Sequence, residues 1–170
     1  WGNPSDQCDA TFKVKSSRPV NGLPETVTLK LGAFAEIVEG LSVDGEGLVD
    51  IWFEDDSGAE VFRANPLVIQ SDLELKPYWV DLHGQSEETI GTGTARAFFE
   101  FARDKAFVDA AGHQGNDFQI TKGFWSHLDN LCEEFDEPGK FLTPLGYEWS
   151  GNTALGGDRN MFYPSKDRVI

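Results

Sequence analysis

Asp81-Leu-His-Gly-Gln-Ser-Glu-Glu-Thr-Ile-Gly-Thr-Gly93 is the stretch from which a fold can be read. It follows the apolar run Tyr78-Trp79-Val80, which predicts a buried strand. Asp81, His83 and Gln85 then fall at every second position, and side chains at i, i+2 and i+4 of a strand share one face. They are expected to converge where that strand ends. Gly91 and Gly93 predict a turn. Thr94–Lys105 then sets Ala97, Phe98, Phe101 and Ala102 on one helical stripe, with Thr92 or Thr94 as cap. A strand that ends in metal-ligand chemistry and feeds a helix is how a (β/α) barrel presents its active site.

The pattern repeats toward the C-terminus. Phe107–Ala111 predicts a strand that runs into His113. Residues 122–136 predict a helix with Trp125, Leu128, Leu131, Cys132 and Phe135 on its apolar side and Thr121 as cap. His127 is placed on its polar, surface side. Lys140–Tyr147 predicts a third strand, ending at Glu148, and Arg159–Tyr163 a further short one. His83, His113 and Glu148 are thus spaced by about one βαβ unit, roughly 30 residues or more, each at the carboxyl end of its strand.

Two imidazoles and a carboxylate suit Zn, Mn or Fe. A divalent ion held with an open position lowers the pKa of bound water to about 7. His83, His113 and Glu148, completed by Asp158, are the candidate metal ligands. Asp81 and Asp117 are candidates to accept the histidines' second N–H, as carboxylates near metal sites do. Gln85 is expected to hydrogen-bond water or substrate, and Gly156-Gly-Asp-Arg159 either sets Arg159 to hold an anionic group bidentately or is an ordinary turn.

Residues 1–75 read differently. Thr11–Lys15, Val27–Leu31, Leu48–Phe53, Val61-Phe62 and Pro66–Ile69 are short strand patterns, with turn chemistry at Asp55-Asp-Ser-Gly58. They predict an antiparallel β-rich, sandwich-like domain. Ala33–Leu41 reads as a short helix or an irregular link. There is no histidine before His83. Phe12, Phe34, Trp52, Phe53 and Phe62 are expected to be core in preference to a sugar-binding face. Residues 70–76 read as a linker, so two domains are expected, 1–75 and 76–170.

The net charge of −15 disfavours a nucleic-acid partner, because the chain repels phosphate backbones. The longest apolar runs fall far short of a membrane span, so no membrane partner is expected. Cys8 and Cys132 make no disulfide framework. The compartment stays open between cytoplasm and periplasm.

Asp81-Leu-His-Gly-Gln, Ala110-Ala-Gly-His-Gln-Gly-Asn-Asp117, Pro144-Leu-Gly-Tyr-Glu-Trp-Ser150 and Gly157-Asp-Arg-Asn160 together resemble the PHP (polymerase and histidinol phosphatase) superfamily. More closely they resemble a bacterial family of unknown function within it, whose PHP-like domain follows a β-rich segment. The resemblance covers residues 76–170. It implies the first βα units of a distorted (β/α)7 barrel, with divalent metals and phosphoester hydrolysis. It also implies that His83, His113 and Glu148 match the ligands of the first three motifs. Three positions depart from the family pattern: Gln85 stands for a histidine, Gly112 for an aspartate and Asp158 for a histidine. The chain holds fewer βα units than such a barrel needs, so the remainder is expected from the same or a cleaved chain. The expectation is a metal-dependent hydrolase of a small anionic phosphoester. The alternative is a non-catalytic binding protein with a degenerate barrel and an N-terminal interaction or carbohydrate-binding module.

Overall fold

The computed structural model of the chain describes residues 5–151 and 153–164. The chain divides into two compact units, Trp1–Lys76 and Pro77–Ile170.

The first unit contains β1 (Ala10–Ser16), β2 (Thr26–Leu29), β3 (Gly47–Val49), β4 (Ile51–Glu54), β5 (Glu60–Arg63) and β6 (Leu67–Ile69). Four of them form an antiparallel sheet in the order β2-β1-β4-β5, and β3 pairs with β6 apart from it. The single strand expected over Leu48–Phe53 is split at Asp50. The Ser17 hydroxyl accepts from the Asp50 N–H at 2.9 Å, and the Ser17 N–H donates to the Asp50 carbonyl at 2.9 Å. Val49 and Ile51 both turn inward on either side of that clamp and form the core with Val14. Ala33–Leu41 is irregular.

The second unit contains β7 (Val80–Gly84), α1 (Ala95–Asp104), β8 (Ala110–His113), α2 (Lys122–Phe135), β9 (Gly146–Trp149) and β10 (Arg159–Phe162). Both helices begin as their sequences dictate: Thr94 Oγ1 accepts from Ala97 N–H and Thr121 Oγ1 from Phe124 N–H, each at 3.1 Å. Phe99, Leu128, Leu131, Cys132 and Phe135 bury one stripe of each helix against Ala111, Phe141 and Leu145.

The barrel expectation is corrected here. Among the described residues the chain is β-rich, with two α-helices and four small sheets of four, two, two and two strands. One ladder, β7–β8, is parallel; single parallel bridges join Ala110 to Leu142 and Asn116 to Glu148. A barrel would continue from β9 through a helix to another parallel strand. Instead the chain reverses through Gly156 and Gly157, the latter at φ +70°, and β10 returns antiparallel to β9. It then packs on β7 and β8. Asn160 Nδ2 donates to the Leu82 carbonyl at 3.4 Å, and a Cβ on Gly112 would meet the Phe162 ring at 3.2 Å. Neighbouring Ala111 and His113 face the helices, so β10 occupies the opposite face of β8.

Two strand expectations are also corrected. Tyr78 and Trp79 lie before β7 and are 67% and 79% exposed, not buried. Phe107 is not in a strand. It sits exposed at φ +53°, in the turn that closes α1.

Candidate functional site

The carboxyl ends of β7, β8 and β9 carry a connected set of polar side chains. Its centre is His83 and Glu148. His83 Nε2 stands 3.9 Å from Glu148 Oε1, with the imidazole half exposed and the carboxylate nearly buried. Register places the next member: Asn160 lies directly opposite Glu148 in the β9–β10 pair, so the two share a face. Asn160 Oδ1 lies 3.0 Å from His83 Nδ1. On the far side, Asn116 Nδ2 donates to Glu148 Oε2 at 2.7 Å and to Ser150 Oγ at 3.1 Å. The Asn116–Glu148 bridge sets that contact. Each of the two central groups therefore has one polar atom held by an asparagine amide and one turned toward the other.

Gln85 touches this set through Asn116 Oδ1, 3.4 Å from its Nε2, but its shorter bonds go elsewhere. Its Nε2 donates to the Gln114 carbonyl at 2.7 Å and its Oε1 accepts from Thr89 at 2.6 Å. Asp117 Oδ1 accepts from Phe118 N–H at 2.8 Å and Ser150 N–H at 3.4 Å, which shapes the loop beside Glu148.

Three expected members stand outside. Asp81 does not reach a ring nitrogen; its Oδ1 accepts the backbone N–H of His83 at 3.1 Å, where the β7–β8 register shifts. Asp158 is exposed ahead of β10. Arg159 lies opposite Trp149, on the other face from Asn160 and Glu148. Its Nη1 donates to the carbonyls of Gly156 at 2.7 Å and Gly157 at 3.0 Å, and its guanidinium lies 6.0 Å from the Trp149 ring centre. It holds the turn together and does not present a fork to an anion.

His113 is the largest correction. It is 1% exposed, and its ring makes edge contacts with Phe98 and Phe124. Nδ1 accepts from Gly115 N–H at 3.2 Å, so Nε2 carries the proton and donates to Ser86 Oγ at 2.7 Å. The Ser86 hydroxyl in turn donates a hydrogen bond to Glu88. Glu88 also accepts from Ala95 N–H at 3.2 Å, at the start of α1. Burial pushes the His113 pKa down to about 4, opposed by the Glu88 charge. Partial burial acts to raise Glu88, but the bonds from Ser86 and Ala95 outweigh it and hold the carboxyl below its usual range. This Ser–His–Glu chain is no nucleophile and base: Ser86 is fully buried and the ring donates to it.

Asn116 and Asn160 were not singled out from the sequence. Asn116 lies just past a predicted strand end, and that position was its available signal; Asn160 falls inside the predicted strand Arg159–Tyr163, where nothing local marks it.

The donor set fits a divalent ion in part. A separation of 3.9 Å is too long for a hydrogen bond, and two metal–ligand bonds of about 2.1 Å each span it. Among the described residues, however, no group of three His, Cys, Asp or Glu side chains comes together. His83 and Glu148 supply two ligands, with neutral amides and a hydroxyl around them.

Residues 58–169 match the model of a family described as "Protein of unknown function (DUF3604)". An uncharacterized protein of Chlamydia pneumoniae is 22% identical over 134 residues, an alignment that covers 78% of this chain and 22% of that relative. The chain therefore spans well under a third of the relative's length. No solved structure matches the chain.

Proposed function

We propose a function from the premise that this chain belongs to the DUF3604 family, proteins of unknown function: it contributes part of the site of a metal-dependent hydrolase acting on a small anionic phosphoester. The observation that carries this reading is the facing pair His83 Nε2 and Glu148 Oε1, 3.9 Å apart, each with its second polar atom held by an asparagine. The motif resemblance to the PHP superfamily supports it. His83 and Glu148 would hold the ion. A divalent cation, when bound, supplies Lewis-acid activation of water and of a phosphoryl oxygen. Asn116 keeps the Glu148 carboxylate oriented, and Asn160 does the same for His83. Substrate charge would be met by the ion, because Arg159 is committed to its own turn.

The test is metal content by mass spectrometry and calorimetric titration with Mn2+ and Zn2+, followed by hydrolysis of p-nitrophenyl phosphate. His83→Ala and Glu148→Gln are expected to weaken cation binding by at least about tenfold and abolish turnover. Stoichiometric absence of cation binding by the wild-type chain would overturn the reading.

A non-catalytic binding role is the second reading. Its support is that Gln85 and His113 are both consumed by internal hydrogen bonds. The carbohydrate-binding form of it finds little help in the first unit. Phe62 stacks on Phe53 with ring centres 4.3 Å apart, and the Arg63 guanidinium lies 5.0 Å over Trp52, whose Nε1 donates to Glu54.

A further inference from the structure

We infer that Asn160 is a positioning residue that sets the tautomer of His83. The functional consequence rests on the cation reading above; the tautomer itself does not. The orientation of the Asn160 amide follows from its Nδ2, which donates to the Leu82 carbonyl at 3.4 Å. Oδ1 is then the atom 3.0 Å from His83 Nδ1. An amide oxygen only accepts, so Nδ1 carries the ring proton. In a neutral imidazole with Nδ1–H, the lone pair is on Nε2. That is the nitrogen which faces Glu148 Oε1.

The arrangement is built by the fold at three points. Register places Asn160 across from Glu148 on one face of the β9–β10 pair. The amide is anchored to the backbone of β7 one residue before His83, so ring and acceptor move together. β10 can come close enough because Gly112, where the resembled family carries aspartate, leaves room for Phe162. Among the described residues nothing else meets Nδ1. His113 shows the opposite assignment: its Nδ1 accepts and its Nε2 donates inward to Ser86. Of the two, His83 alone presents a free lone pair outward.

The chain has three histidines, so ring 15N chemical shifts of selectively labelled protein resolve each one, assigned by His→Gln variants. In the metal-free full chain at pH above 8, His83 is expected in the Nδ1–H form and His113 in the Nε2–H form. Asn160→Ala should move His83 to a mixture of tautomers and weaken Mn2+ binding about 10- to 100-fold, the usual loss when a ligand's outer partner is removed. Asn160→Asp, which keeps an acceptor at Nδ1, should restore the tautomer. Wild-type His83 in the Nε2–H form would overturn the inference. An unchanged tautomer in a folded Asn160→Ala chain would overturn it as well. The stated tautomer without any cation binding would uphold Asn160 as the positioning residue and overturn the hydrolase reading alone.

Discussion

His113 shows how far one side chain's role depends on which nitrogen has the proton. Its pKa is pushed down to about 4 by burial, against an ordinary value of 6.5. The unfolded chain therefore binds a proton between those values that the folded chain refuses. Stability from this group is fully present above pH 6.5 and is lost as pH falls toward 4, by roughly 3 kcal/mol in all. Urea denaturation of wild type and His113→Gln across pH 4.5–7.5 is the check; parallel pH profiles would refute the assignment. Ser86→Ala should cost about 2 kcal/mol at pH 7, because it leaves the His113 Nε2–H buried without an acceptor and removes a donor from Glu88.

Among the elements, α1 and the β9–β10 hairpin carry the testable strain. Phe107, three residues past the end of α1, sits at φ +53°, a conformation that costs an ordinary side chain about 1–2 kcal/mol, and its ring is half exposed. Phe107→Gly should raise stability by about 1 kcal/mol in chemical denaturation; a loss would mean that the ring packs more tightly than its exposure implies. Gly146 is the reverse case. A Cβ there would run into Gln114 Nε2 and the Met161 carbonyl, where β10 crosses β8. Gly146→Ala should cost about 2 kcal/mol. It should also pull Asn160 from His83, visible as a changed His83 ring spectrum; a stable variant with wild-type shifts would refute the close crossing of β10.

For the whole molecule, each unit has its own buried cluster, and residues 70–79 between them carry no helix or strand. Leu75 and Tyr78 there are 83% and 67% exposed. Brief chymotrypsin treatment should cut first in this segment and leave two resistant fragments. A first cut inside α1 or α2, read by intact mass, would count against two independently cored units.

Local chemistry was legible in the chain. Thr94 and Thr121 cap their helices and Cys132 lies on the apolar stripe of α2, because caps and period depend on neighbours a few residues away; Glu148 lies near the end of β9, though that strand begins at Gly146 and not at Lys140. Partnership across the chain was not. His83 and His113 have similar sequence surroundings, yet one faces solvent beside Glu148 and the other is buried between Phe98 and Phe124. A shifted register between Asp81 and Gly84 and the antiparallel return of β10 made that difference. The same return replaced the barrel's next parallel strand and brought in Asn160, a residue with no local mark of its role. Strand spacing tells which residues reach a sheet edge. Which side they face, and what meets them there, is settled by packing between segments about 80 residues apart, such as Leu82 and Asn160.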